Sequence, residues 1–168
     1  MNEFIYGADQ TPASADSCKM TAVSTDAEIA RAALDGHTIV LCRRGELTIS
    51  DKRGISPMMD WIAEGRDMRG SAAADIIVGK AAAMLFVLSG IAAVHARTIS
   101  RAGLYTLRRY GIEPTYETLT DNIKNRAGTD ICPMERGVLN IDDPALAYDA
   151  LLATLKSLRQ GSQAAPGV

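Results

Sequence analysis

The sequence predicts a three-layer α/β domain, a mixed sheet with helices on both faces. Its patterns run helix, hairpin, then alternating helix and strand, the order expected when helices cover a sheet. Hydrophobic residues make up 47% of the 168, enough for one domain with its own core. Aromatics supply only 5%, so Ala, Ile, Leu, Val and Met must fill that core. Ala-rich packing suits helices that approach one another, or a sheet, closely.

The elements follow in order. Residues 1–24 are rich in Thr, Pro, Ala, Ser and Asp without apolar periodicity, and read as a flexible leader; Phe4, Ile5 and Tyr6 could form a small docking patch in it. The domain proper spans 25–158, and 159–168 read as a flexible tail. Asp26 to Leu34 predicts the first helix, with Thr25 or Asp26 as its cap and Gly36 as its stop. Thr38 to Cys42 is an apolar, β-branched run, hence a buried strand. Arg43 to Glu46 forms a turn, and Leu47 to Ser50 alternates as a hairpin partner does. Ser56-Pro57 starts a short helix whose Met58, Met59 and Trp61 pack the core.

Ser71 to Asp75 is expected to be a short central strand, with Asp75 capping a long helix from Ile76 to Leu88. Ala92 to Ala96 is a second inner strand, in which His95 reads as a satisfied core histidine. Ser100 caps a helix reaching Tyr110, and Thr115 to Leu119 is a further strand. Val138 to Ile141 reads as a brief extended segment. Asp143-Pro144 opens the last helix, which buries Leu146, Leu151, Leu152 and Leu155.

The net charge of -2 gives no general drive toward nucleic acid or an anionic membrane. Arg108 with Arg109, and Lys124 with Arg126, read as solvated surface. Cys18, Cys42 and Cys132 lie far apart with no C-x-x-C, which argues against disulfides and a cysteine-rich zinc site and fits a reducing cytoplasm. The longest apolar run, Ala81 to Val94, is shorter than a span of about 20 residues. The edge strand Leu47 to Ser50 offers a route to a homo-oligomer.

The stretch from Asn125 to Glu135 holds the candidate chemistry. A polar loop delivers Cys132 to the first turn of a helix, with Pro133 at a position that needs no N–H and Glu135 where the dipole favours a carboxylate. A thiol so placed tends toward the thiolate, which attacks electrophiles. Asn125, Arg126, Gly128 and Thr129 form a loop suited to a ligand. Lys80, read as one turn into the Ala-rich helix, could reach Asp75 or Glu135 and stabilise negative charge beside Cys132. Gly79-Lys80 is no phosphate loop, because Ala74 and Ala81 stand where glycine and Ser/Thr are required.

Three blocks, Asp75 to Ala83, Arg109 to Ile112 and Asn125 to Glu135, resemble a small bacterial family, domain of unknown function 1893, over roughly residues 26–157. The resemblance implies a cytidine-deaminase-like fold. Zinc deaminases place His-x-Glu at one helix start and Pro-Cys-x-x-Cys at the next. Here Asp75-Ile76-Ile77 has neither His nor Glu, Glu135 stands where a second Cys would be, and His37 and His95 lie in no ligand motif. The expectation is a domain with no metal and no cofactor and a cleft for a small polar ligand, such as a nucleobase or nucleotide. Cys132, Lys80, Asp75 and Glu135 are its candidate catalytic residues. The alternative is a non-catalytic sensing or interaction module on the same fold.

Overall fold

The computed structural model describes the backbone of residues 15–163 and the side chains of residues 22–160. The docking patch read at Phe4, Ile5 and Tyr6 lies outside the described residues. In chain order the elements are α1 (Ala15–Ala32), β1 (Ile39–Arg43), β2 (Glu46–Ser50), α2 (Ser56–Ala63), β3 (Ala72–Val78), α3 (Lys80–Leu88), β4 (Ala93–Ser100), α4 (Arg101–Arg109), β5 (Thr115–Thr120), α5 (Pro133–Val138) and α6 (Pro144–Gln163).

The sheet has the order β2-β1-β3-β4-β5. Strand β1 pairs antiparallel with both β2 and β3, while β3, β4 and β5 run parallel. Arg44 and Gly45 both adopt positive φ at the β1–β2 turn, the backbone that joins a two-residue hairpin. Two cores flank the sheet. On one face Ala30 and Leu34 of α1 cover Val40, Cys42 and Ala74. On the other, α2 to α6 bury Ile39, Leu41, Ala73, Val94 and Ala96 together with Met58, Met59, Trp61, Phe86, Leu107 and Leu151. The expected mixed α/β sheet is present, with helices on both of its faces.

Several boundaries differ from expectation. Helix α1 begins at Ala15, so part of the expected leader is helical and Asp26 lies inside a helix. The Asp26 side chain instead accepts the main-chain N–H of Arg44 (2.7 Å) and of Gly45 (2.8 Å) at the hairpin tip, and the Cys42 thiol at 3.4 Å. Burial and this bond to a carboxylate push the Cys42 thiol up to about 11. Helix α6 runs to Gln163, into the expected tail, and its Leu146 is 61% exposed because only the side facing α3 and α5 is covered. Val138 ends α5 instead of starting an extended segment. Ser100 does cap α4, accepting from Gly103 N–H at 3.0 Å, and Asp143 accepts the N–H of Ala145 and Leu146 at the start of α6.

The largest revision concerns β3. The strand continues through Ile76-Ile77-Val78, and α3 starts at Lys80 with Gly79 as its N-cap. Asp75 is therefore a strand residue, not a cap. β-branched side chains favour extended backbone, and that preference outweighs the capping preference of the aspartate. Strand β4 is likewise longer than expected and reaches Ser100.

Gly103 shows how tightly α4 sits over the β3–α3 junction. A Cβ there would lie 2.8 Å from the Val78 carbonyl oxygen and 3.0 Å from the Gly79 carbonyl carbon. Backbone cannot swing aside as a side-chain tip can. Gly103→Ala is expected to lower stability by about 1–3 kcal/mol, read from a urea transition; an unchanged midpoint would mean that α4 shifts freely.

Candidate functional site

Strand direction fixes where helices begin. Because β2 to β5, apart from the intervening β1, share one direction, α2, α3, α4 and α5 all start beyond the carboxyl ends of the strands that precede them. In open α/β sheets this edge is the usual place for ligands. Asp75, Lys80, Cys132 and Glu135 all lie on or lead into these segments, yet their side chains go to separate tasks.

Gly79 brings no side chain to cap α3, and the Glu135 carboxylate takes that role from across the fold. A Cβ on Gly79 would meet Glu135 Oε1 at 3.1 Å and Ile123 Cγ1 at 2.9 Å, so glycine is what lets them approach. Glu135 Oε1 accepts the Lys80 main-chain N–H at 3.2 Å and the Ser100 hydroxyl; Oε2 accepts the Ile123 N–H at 2.6 Å. At 1% exposure this carboxylate is satisfied by a helix start, a hydroxyl and a loop amide. It ties together α3, the cap of α4, and the segment after β5.

Lys80 is the first residue of α3, and its ammonium turns away from Cys132. Lys80 Nζ donates to the Leu139 carbonyl at 2.6 Å and approaches Asp142 Oδ1 at 3.5 Å. Leu139 closes the C-terminus of α5, where a cation complements the dipole, whereas Cys132 stands at its N-terminus. Seven residues of helical rise, about 10 Å, separate those ends. Asp142 also binds Arg109 at 2.9 Å, and that guanidinium holds its carboxyl below the usual range.

Cys132 is half-buried and is the N-cap of α5, with Pro133 following as expected. Its main-chain N–H donates to the Ile123 carbonyl at 2.8 Å, and its sulfur makes no capping bond. The neighbouring loop bonds to itself. Asn125 Oδ1 accepts the Thr129 N–H at 3.0 Å, Asn125 Nδ2 donates to Thr129 Oγ1 at 3.2 Å, the Gly128 N–H donates to the Asn125 carbonyl at 3.0 Å, and Arg136 pairs with Asp130 at 2.5 Å. Among the described residues Asp75, 8% exposed, accepts only from its own strand, at Ile77 N–H (2.9 Å) and from Ile76, and burial pushes its carboxyl up to about 7. Among the described residues no three His, Cys, Asp or Glu side chains gather as a metal ion requires, and no helix there is long and apolar enough to cross a membrane.

A second feature lies on the opposite face of the sheet. A cavity of about 360 Å³ opens between the C-terminal part of α1 and strands β4 and β5, bounded by Glu28, Arg31, Asp35, His95, Arg97 and Glu117. Helix α1 covers β1, β3 and part of β4 but not β5, which leaves the gap. His95 is buried at 4% exposure, with Nδ1 2.8 Å from Thr115 Oγ1. Its Nε2 lies 3.6 Å from Glu117 Oε1, beyond hydrogen-bond reach. Burial, then the Arg31 charge, lower its proton affinity below the ordinary range, while Glu117 opposes them. Arg97 pairs with Asp35. His95 is buried, as the sequence suggests, but it borders a cavity and among the described residues only its Nδ1 is bonded; the group around it escapes sequence reading because its members come from separate elements with no shared spacing.

Residues 29–155 match the family described as Domain of unknown function (DUF1893). The chain belongs to the DUF1893 family. A crystal structure of a DUF1893 family protein (TM1506) from Thermotoga maritima at 2.70 Å resolution is similar, with a TM-score of 0.66 and 22% identity, over 88% of this chain and 99% of that one. Among curated proteins none matches. At that identity the likeness carries the fold, and the DUF1893 assignment itself prescribes no reaction.

Proposed function

We propose that this DUF1893 domain is a small-molecule-binding module on a cytidine-deaminase-like scaffold, with its ligand seat beside His95 rather than around Cys132. The scaffold reading is supported by the mixed sheet that opens with a hairpin and gathers four helix starts at one edge. The observation that carries the choice of seat is the Glu135 carboxylate. An enzyme of this plan would keep the helix-start hollow open for reacting groups; here the chain's own carboxylate fills it, and Lys80 is engaged at Leu139. The charged cavity on the α1 face has room and free polar groups.

A library of amino acids, nucleosides, nucleotides and sugar phosphates, screened by NMR on the full chain, tests this reading. The His95 ring resonances are expected to move on ligand addition, and the main-chain amides of Asn125, Arg126, Gly128 and Cys132 to stay in place. The opposite pattern would return the site to the Cys132 loop.

A second reading keeps Cys132 as a nucleophile, favoured by a half-buried residue at a helix start whose side chain makes no capping bond. Alkylation separates the two. Iodoacetamide is expected to modify Cys132 and spare the buried Cys42, leaving binding at the His95 cavity intact. A turnover that Cys132→Ser abolishes would favour the thiol instead.

A further inference from the structure

The charges around the His95 cavity do not cancel, and the remainder points to one kind of ligand. Arg97 is taken by Asp35. Arg31, Glu28 and Glu117 make no ion pair within 4 Å among the described residues, apart from the approach of Glu117 to His95. One guanidinium and two carboxylates therefore stand open on the rim. A phosphate dianion would cover Arg31 but meet two uncompensated carboxylates. A simple cation would leave Arg31 bare. A molecule carrying both signs meets Arg31 and Glu117 together and leaves Glu28, which is exposed, to solvent.

The buried imidazole sharpens this. When Nδ1–H donates to Thr115 Oγ1, Nε2 is an acceptor with no hydrogen-bond partner among the described residues, and the Glu117 carboxylate lies 3.6 Å from it. Two acceptors at that spacing can both receive from a single ammonium group. Glu28 lies on the same helix as Arg31, three residues earlier, and so on the same side of the cavity.

We propose that this cavity binds a small zwitterion of the amino-acid class, with its carboxylate on Arg31 and its ammonium between His95 Nε2 and the Glu117 carboxylate. This deepens the ligand-binding reading above and rests on it.

Titration of the full chain with the individual proteinogenic amino acids at millimolar concentration, alongside AMP and inorganic phosphate, tests it. The readouts are the His95 ring resonances and the melting temperature. At least one amino acid is expected to move both saturably, while AMP and phosphate move neither. Arg31→Gln and Glu117→Gln, both at exposed positions, are expected to weaken that binding tenfold or more with unchanged circular dichroism. Should either variant fail to fold, Arg31→Lys and Glu117→Asp serve in its place. A response to AMP or phosphate without any amino acid would overturn the ligand class and leave the binding site standing. No response to any small molecule would overturn the site as well. Amino-acid binding that survives both substitutions would overturn the placement.

Discussion

Glu135→Ala is expected to destabilise the domain by about 3–5 kcal/mol, the largest effect of any single truncation at the helix-start edge. The alanine would leave the N–H groups of Lys80 and Ile123 and the Ser100 hydroxyl without their acceptor. Each such loss costs about 1–3 kcal/mol where water cannot replace the partner. Glu135→Gln keeps the shape and one acceptor oxygen, so its loss should be clearly smaller. Urea titration measures both, and hydrogen exchange at the Lys80 and Ile123 amides localises the effect. A loss under about 1 kcal/mol for the alanine variant would mean that water or a rearranged loop takes over the role, and Glu135 would then be no fastening.

Asp75→Asn is expected to raise stability at pH 8 and to flatten its pH dependence. The Asp75 carboxyl is pushed up to about 7 by burial, whereas in the unfolded chain it titrates near its ordinary value of about 4. Below that lower value both states hold the proton. Between about 4 and 7 only the folded state does, so rising pH removes stability through this window. Above 7 the folded protein carries a buried charge that asparagine would not have. The gain at pH 8 should be about 2–4 kcal/mol, against little change at pH 4. Equal pH profiles for the two proteins would show that the Asp75 carboxylate is better solvated than its burial implies.

How much of this was legible beforehand depended on whether a residue's role was local. The hairpin was readable because a β-branched run, a turn containing Gly45 and an alternating partner lie next to one another. The Ser100 and Asp143 caps were readable for the same reason, since each bonds within three residues. Asp75 misled because an aspartate before an apolar run looks like a cap, while pairing with β1 and β4 kept the chain extended to Val78. Asp26 misled in the same way, its true partners being 18 and 19 residues away at the hairpin tip. Leu146 is exposed against expectation because the sequence pattern does not say which face of α6 meets α3.

Within the candidate site, the helix start at Cys132 and the placement of Glu135 in the first turn were both legible. The partners of Glu135 and Lys80 were not, because they lie 12 to 62 residues away. The rim of the His95 cavity draws on α1, β4 and β5, so only the folded chain assembles it.

The stitching of α3 by residues that come much later bears on biosynthesis. As the chain leaves the ribosome, α3 is complete when Leu88 emerges, but the carboxylate that covers the Lys80 amide lies 55 residues beyond Lys80 and the carbonyl that receives its ammonium 59 beyond it. Until then the nascent domain exposes an unfinished helix start and a lone ammonium, with the sheet already able to form. Closure of the fold waits for α5, and a chain that stops before α5 should engage chaperones in place of reaching a native state.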